Sequence, residues 1–370
     1  MASSERSNYV SEWFGHRIYP TVSCTPLSLR DQRERRCPFL SDITRQDCEC
    51  TKPVASKGVC TISSPSNGKR QDWLVCPNRA LVPEILETAG VRLFAAGTGD
   101  RPMVIPAPRL RSEETQRQVI RSLKDGRKVI VAFQEKLGGE ISIPATDRSP
   151  EISFDITLAE LQLSKGRLDI GRFGILEVQT MDFHGSYSHA VKNLTDALRL
   201  HADTFYKAVR GNPRWLGDRI EGPNKANVFK RTFYQLAFKF RLGLDRRCAG
   251  CVIAITSSVW DSWQPHLGKP DLVPLGKAES LLSRTGRTPA KPAQAWIYVF
   301  EPEAESPDSP NPLRIHNMIA TDADSLVHYA LKVAPEAAVG TRGRVDLIPL
   351  KIRERLVKLW RAFADTDAAS

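Results

Sequence analysis

The sequence predicts an α/β fold with a mixed central sheet flanked by helices, and three observations carry that prediction. Apolar, β-branched runs with strand character recur at residues 127–134, 151–156, 173–179, 252–256 and 295–300. Long amphipathic helical patterns at 186–209 and 227–242 lie among them, the interleaving expected of helices packed on a sheet. Residues 1–82 break from both patterns. They hold six of the eight cysteines (Cys24, Cys37, Cys48, Cys50, Cys60 and Cys76) among many turn formers, which predicts a loop-rich module in need of a staple.

Each element has a local reason. A short helix is expected over 83–89, with Pro83 at its first position and Gly90 just past its end. Ser112, Glu113 and Glu114 open a helix that reaches Lys124 and stops at Asp125-Gly126. The strand at 127–134 turns at Gly138-Gly139 and returns over 140–144. The strands at 151–156 and 173–179 are joined through a turn at Ser164-Lys165-Gly166-Arg167. In the 227–242 helix, Val228, Phe229, Phe233, Leu236 and Phe240 share one face, and Lys230, Arg231, Lys239 and Arg241 are placed around the rest. Residues 301–312 are rich in proline and acids and predict an exposed loop, and helices at 322–333 and 352–363 close the chain. The expected division is 1–82, a metal-binding module; 83–300, the core; and 301–370, a loop and helices packed on that core.

The chain of 370 residues carries a formal net charge of +11, concentrated between Lys192 and Arg247. That balance favours a polyanionic partner, with nucleic acid ahead of a membrane surface. The segment Met1-Ala2-Ser3-Ser4-Glu5-Arg6 lacks an apolar leader, and no apolar run approaches the ~18 residues of a membrane span. A cytoplasmic protein is expected, in which clustered cysteines bind metal rather than form disulfides.

Two carboxylates stand out. Asp155 sits in Ser153-Phe154-Asp155-Ile156-Thr157, and Glu177 in Gly174-Ile175-Leu176-Glu177-Val178-Gln179. An ionised acid in such an apolar run is costly unless it is paired or holds a metal. Neighbouring strands can bring the two together, and hard Mg2+ is commonly held by one or two carboxylates plus phosphate oxygens. Gln179 lies two residues beyond Glu177 on the same strand face, and Glu140 beside the Gly-Gly turn can add a third acid. Solvent-facing strand carboxylates are the competing reading.

Among the cysteines, Cys37, Cys50, Cys60 and Cys76 can supply four thiolates to a tetrahedral metal ion, although no Cys-x2-Cys knuckle occurs among them. Spacing is equally compatible with buried free thiols. Cys48 is a competing ligand and Cys24 a spare. Cys248-Ala249-Gly250-Cys251 has no partner pair nearby and reads as packing. The segment from Thr180 to His189 is suited to touch nucleic acid, or is a plain loop capped at Ser186; Asp182 can help position the site, while His184 and His189 are weaker candidates. Arginines and lysines from Arg210 to Arg247 suit phosphate contact and guanine reading.

Four blocks carry a resemblance. They are Asp72-Trp73-Leu74-Val75-Cys76-Pro77-Asn78-Arg79-Ala80-Leu81, Gln134-Glu135-Lys136-Leu137-Gly138-Gly139-Glu140, the run from Leu176 through Asp182-Phe183-His184-Gly185 to Tyr187, and Glu221-Gly222-Pro223-Asn224 with the run from Asn227 to Gln235. All four resemble type II restriction endonucleases of the NotI type, and the similarity extends from about Phe14 to Phe363. The resemblance implies a PD-(D/E)xK restriction-endonuclease-like core, a homodimer, and Mg2+-dependent cleavage of double-stranded DNA at a GC-rich palindrome. A cognate DNA methyltransferase in the same host is the implied functional partner. Mg2+-binding roles are implied for Asp155 and Glu177, with Gln179 where lysine is usual and Glu140 on another acid of the site. Cys37, Cys50, Cys60 and Cys76 are implied to hold an iron or zinc ion as a structural four-cysteine site. Phe154, where the wider superfamily has proline, and Gln179 are both shared with this branch.

Overall fold

A computed structural model describes residues 7–66, 68–95, 101–286, 293–303, 306, 308–340 and 347–360. It is a mixed α/β architecture. In the N-terminal part, β1 (Tyr9–Trp13), β2 (His16–Arg17), β3 (Val59–Ser66) and β4 (Lys69–Leu74) form an antiparallel sheet in the order β2-β1-β3-β4. Helices α1 (Pro26–Arg33) and α2 (Pro38–Thr44) fall between β2 and β3 in the chain. This corrects the loop-rich expectation. β3 is dominated by Ser and Thr, weak as a hydrophobic signal, yet every residue but Pro65 is buried, and tertiary burial overrides the local preference. Val10, Trp13 and Ile62 give the region an apolar interior.

The chain continues through α3 (Pro83–Phe94), β5 (Met103–Pro106), α4 (Glu113–Lys124), β6 (Val129–Phe133), β7 (Ile141–Ile143), β8 (Ile152–Phe154), β9 (Ile156–Ser164) and β10 (Arg167–Gln179). Next come β11 (Phe183–Gly185), α5 (Ser188–Leu200), α6 (Phe205–Gly211), β12 (Ile220–Pro223), α7 (Lys225–Leu242), β13 (Cys248–Thr256) and α8 (Ser257–Trp263). The last elements are β14 (Val273–Gly276), β15 (Glu279–Leu281), β16 (Ala295–Pro302), β17 (Leu313–Thr321), α9 (Ala323–His328), α10 (Ala334–Val339) and α11 (Leu347–Leu359).

Nine strands make one sheet in the order β14-β15-β17-β16-β13-β10-β9-β6-β5. Its centre is parallel, β10 with β13 and β13 with β16, while β9 runs antiparallel to both β10 and β6. The predicted turn is a two-residue hairpin between β9 and β10, with Lys165 at φ 51° and Gly166 at φ 77°. Positive φ at both positions is the geometry that matches strand twist. Alternation along β10 then divides the sheet. Leu176 and Val178 enter a core with α3 and the N-terminal part, which contributes Cys37, Leu40 and Leu74. Ile175 enters the opposite core with Val228, Leu236 and Phe240 of α7.

Several boundaries differ from expectation. α3 continues through Gly90, because a Cβ there would stand 3.0 Å from Val104 Cγ2; the glycine permits close approach of β5 rather than ending the helix. The 186–209 helix is two helices, broken where His201 takes φ −128°. The return over 140–144 is β7, which pairs with β8 outside the large sheet. β17 is a strand that the sequence pattern does not announce: Arg314, His316 and Asn317 mask its period, but it pairs along β16. The helix over 322–333 is α9 followed by a π-helical segment, Tyr329–Val333. α11 has no fully buried residue, with Arg353 and Leu356 half-buried. Residues 304, 305 and 307 of the predicted loop, and 361–363 of the last predicted helix, lie outside the described residues.

A buried ion pair fastens the N-terminal sheet. Glu12 and Arg79 are both fully enclosed, with Arg79 Nε 2.9 Å from Glu12 Oε2. Arg79 Nη2 also donates to the Asn311 carbonyl at 2.6 Å. Removing one partner strands the other charge without water, so Arg79→Ala should destabilise by about 3–5 kcal/mol. Urea unfolding measures it, and a loss below about 1 kcal/mol would contradict this account.

Candidate active site and cysteine cluster

Asp155 occupies the bend between β8 and β9, not a strand interior, and it keeps a solvent-exposed face. The register Ile156 opposite Leu176 sets Asp155 beside Glu177 on β10. The two are cross-linked through the backbone. The Asp155 N–H donates to Glu177 Oε1 at 3.3 Å, and the Val178 N–H donates to Asp155 Oδ2 at 2.9 Å. Glu177 is buried at 6% exposure, on the face covered by α7. Lys239 descends from that helix and donates to Glu177 Oε2 at 2.5 Å. Gln179, next on the same face, accepts from the Thr232 hydroxyl and donates to the Thr180 carbonyl at 2.6 Å. Glu140 lies exposed at the entrance to β7, near enough that its charge acts on Asp155.

The electrostatics follow from this crowding. Burial raises the Glu177 carboxyl, the Asp155 charge raises it further, and Lys239 opposes both, leaving it at about 7. Burial also raises Asp155, against the Val178 N–H and Lys239, with Glu140 adding to the rise. Solvent on its open side limits the consequence for Asp155 relative to Glu177.

A carboxyl raised from 4.5 to about 7 favours the folded state fully below 4.5, and that contribution is lost as pH rises through about 7. The metal-free protein should therefore lose melting temperature relative to Glu177→Gln across that window. If a divalent cation binds the carboxylate, it should reduce the loss. Parallel melts of the two proteins with and without Ca2+ check this; pH-independent differences would contradict it.

Other sequence candidates fall elsewhere. Asp182 pairs with Arg231 at 3.0 Å on the surface, and His189 lies 3.5 Å from Asp218. His184 is exposed. Cys248 and Cys251 are buried in β13, as packing requires.

Cys37, Cys50, Cys60 and Cys76 are all buried, while Cys24 is exposed and Cys48 only partly covered. The four are electrostatic neighbours. Burial pushes the Cys37 thiol up to about 12, with Cys76 and Cys50 adding to the rise. Cys60 and Cys76 form a hydrogen-bonded pair across the β3–β4 hairpin. That bond, with the Lys52 ammonium nearby, draws Cys76 down to about 6, and the same bond with burial raises Cys60. Lys52 is held by the carbonyls of Val59 at 2.7 Å and Val75 at 3.0 Å. A thiolate-prone sulfur among buried thiols is a donor set suited to a soft cation. Among the described residues, no three His, Cys, Asp or Glu side chains form a ready-made metal cage, either here or around Asp155.

Lys239 and Thr232 are site residues that sequence reasoning misses. The expectation places Lys239 on the basic surface of its helix, but it is 3% exposed. The signal is present: Val228, Thr232, Leu236 and Lys239 follow the helical period along one stripe, so Lys239 falls on the apolar face. Charge alone suggests solvent.

No family model and no curated protein matches this chain.

Proposed function

We propose that this protein is a type II restriction endonuclease of the NotI type, cleaving double-stranded DNA at a GC-rich palindrome. The observation that carries the reading is the convergence of Asp155 and Glu177 from adjoining backbone segments, with Lys239 beneath and Gln179 alongside. Asp155 and Glu177 would hold Mg2+, with Glu140 able to add a carboxylate from the open side. The ion would polarise the scissile phosphate and activate water for in-line attack. Gln179, lacking a basic atom, can orient water or phosphate but cannot accept the proton. The Asp155 bend leaves one face of the site open to a large substrate.

A net charge of +11 supports a polyanionic substrate, and Lys230 and Arg231 are exposed on α7. A homodimer, each copy cutting one strand, suits a two-fold palindrome. The four buried cysteines fit a structural iron or zinc ion. Such an enzyme works in the cytoplasm, where a cognate methyltransferase would protect host sites. Among the described residues no helix is long and apolar enough to cross a membrane.

The test is digestion of GC-rich duplex DNA with Mg2+ or EDTA, followed by sequencing of the ends. Discrete Mg2+-dependent fragments sharing one palindrome are expected. Intact DNA bound specifically by a folded dimer would instead identify a binding protein with a silent nuclease core.

A further inference from the structure

Strand β10 brings one carboxylate, Glu177, and one amide, Gln179, to the site. The bend before β9 brings the second carboxylate, Asp155, and none of the three is a cation. The cation comes from α7. Thr232 and Lys239, two helical turns apart, reach Gln179 and Glu177, which are neighbours on one face of β10. A single helix thus grips both polar side chains of the strand. Lys239 is 3% exposed, its Nζ lies 2.5 Å from Glu177 Oε2, and Phe154 closes one side with its ring centre 5.9 Å from Nζ. Leu236 and Phe240 flank it in the helix and belong to the core. A hydrophobic residue at 239 would continue that stripe without the desolvation cost of a buried ammonium.

We propose that Lys239 is the positioning cation of this site, holding Glu177 beside Asp155 in the metal-free protein and yielding that carboxylate to an incoming divalent cation. The proposal rests on the reading of Asp155 and Glu177 as metal ligands. An ammonium and a divalent ion compete for the same oxygens, so the lysine pre-forms the site and also weakens metal binding.

The experiment uses the full chain in mildly alkaline buffer, where protons compete little for the carboxylates, with Ca2+ as the probe. Lys239→Met and Lys239→Gln, the latter keeping a hydrogen-bond donor, are compared with wild type by thermal melting and titration calorimetry. Both variants should melt lower without Ca2+ yet gain more from it, and bind it on the order of tenfold more tightly. Unchanged Ca2+ affinity, with the melting deficit persisting in Ca2+, would overturn the proposal and leave an ordinary buried ion pair. Asp155→Asn is run alongside. If it responds to Ca2+ as wild type does, the metal reading of the carboxylates is itself wrong, and the role of Lys239 falls with it.

Discussion

Asp155→Asn should lower Mg2+-dependent cleavage by about a thousandfold or more while DNA binding in Ca2+ persists. The asparagine retains an oxygen to accept from the Val178 N–H, so the bend between β8 and β9 should hold while one anionic ligand is lost. Glu177→Gln should be equally inactive, as stable as wild type in acid and more stable as pH rises through about 7. Like the protonated acid it mimics, the glutamine keeps an oxygen that can accept from Lys239, and it avoids the cost of ionising a buried carboxyl. The two variants therefore separate chemistry from folding. Activity measured beside urea unfolding checks both, and an active double variant would remove Asp155 and Glu177 from the mechanism.

Cys60→Ser should be the most damaging change in the N-terminal part. Cys60 is buried and paired with Cys76, and its strand carries the centre of the antiparallel sheet. If the four cysteines hold iron or zinc, losing one removes both a ligand and the free energy that the ion adds to folding. Folded yield and bound metal, read by elemental analysis, should fall together. Cys24→Ser, at an exposed cysteine, should change neither. Full metal content in Cys60→Ser would mean that the cysteines are grouped wrongly.

The large sheet is legible in the sequence because β6, β13, β16 and the second half of β10 carry apolar, aliphatic or aromatic runs, and a strand covered on both faces cannot hide that composition. The acids are legible for the related reason that a charge within such a run demands a partner. The N-terminal sheet is not, because β3 buries four hydroxyl residues and one cysteine beside only two branched hydrocarbon side chains, Val59 and Ile62. Lys239 escapes through a rule of thumb about charge, although its helical position already points inward. Thr232 has no compositional mark at all; only the packing of α7 on β10 reveals its contact with Gln179.

The alternation of β10 has a further consequence for how the chain can be cut or shortened. Glu177 faces α7, but its immediate neighbours Leu176 and Val178 face the opposite way, into the interior shared with Cys37, Cys60 and Cys76. Removing residues 1–82 would not release a smaller working unit. It would wet the back of the strand that holds the acid and leave a sticky, aggregation-prone remnant. The first part of the chain is thus a wall behind the candidate site rather than an attachment to it.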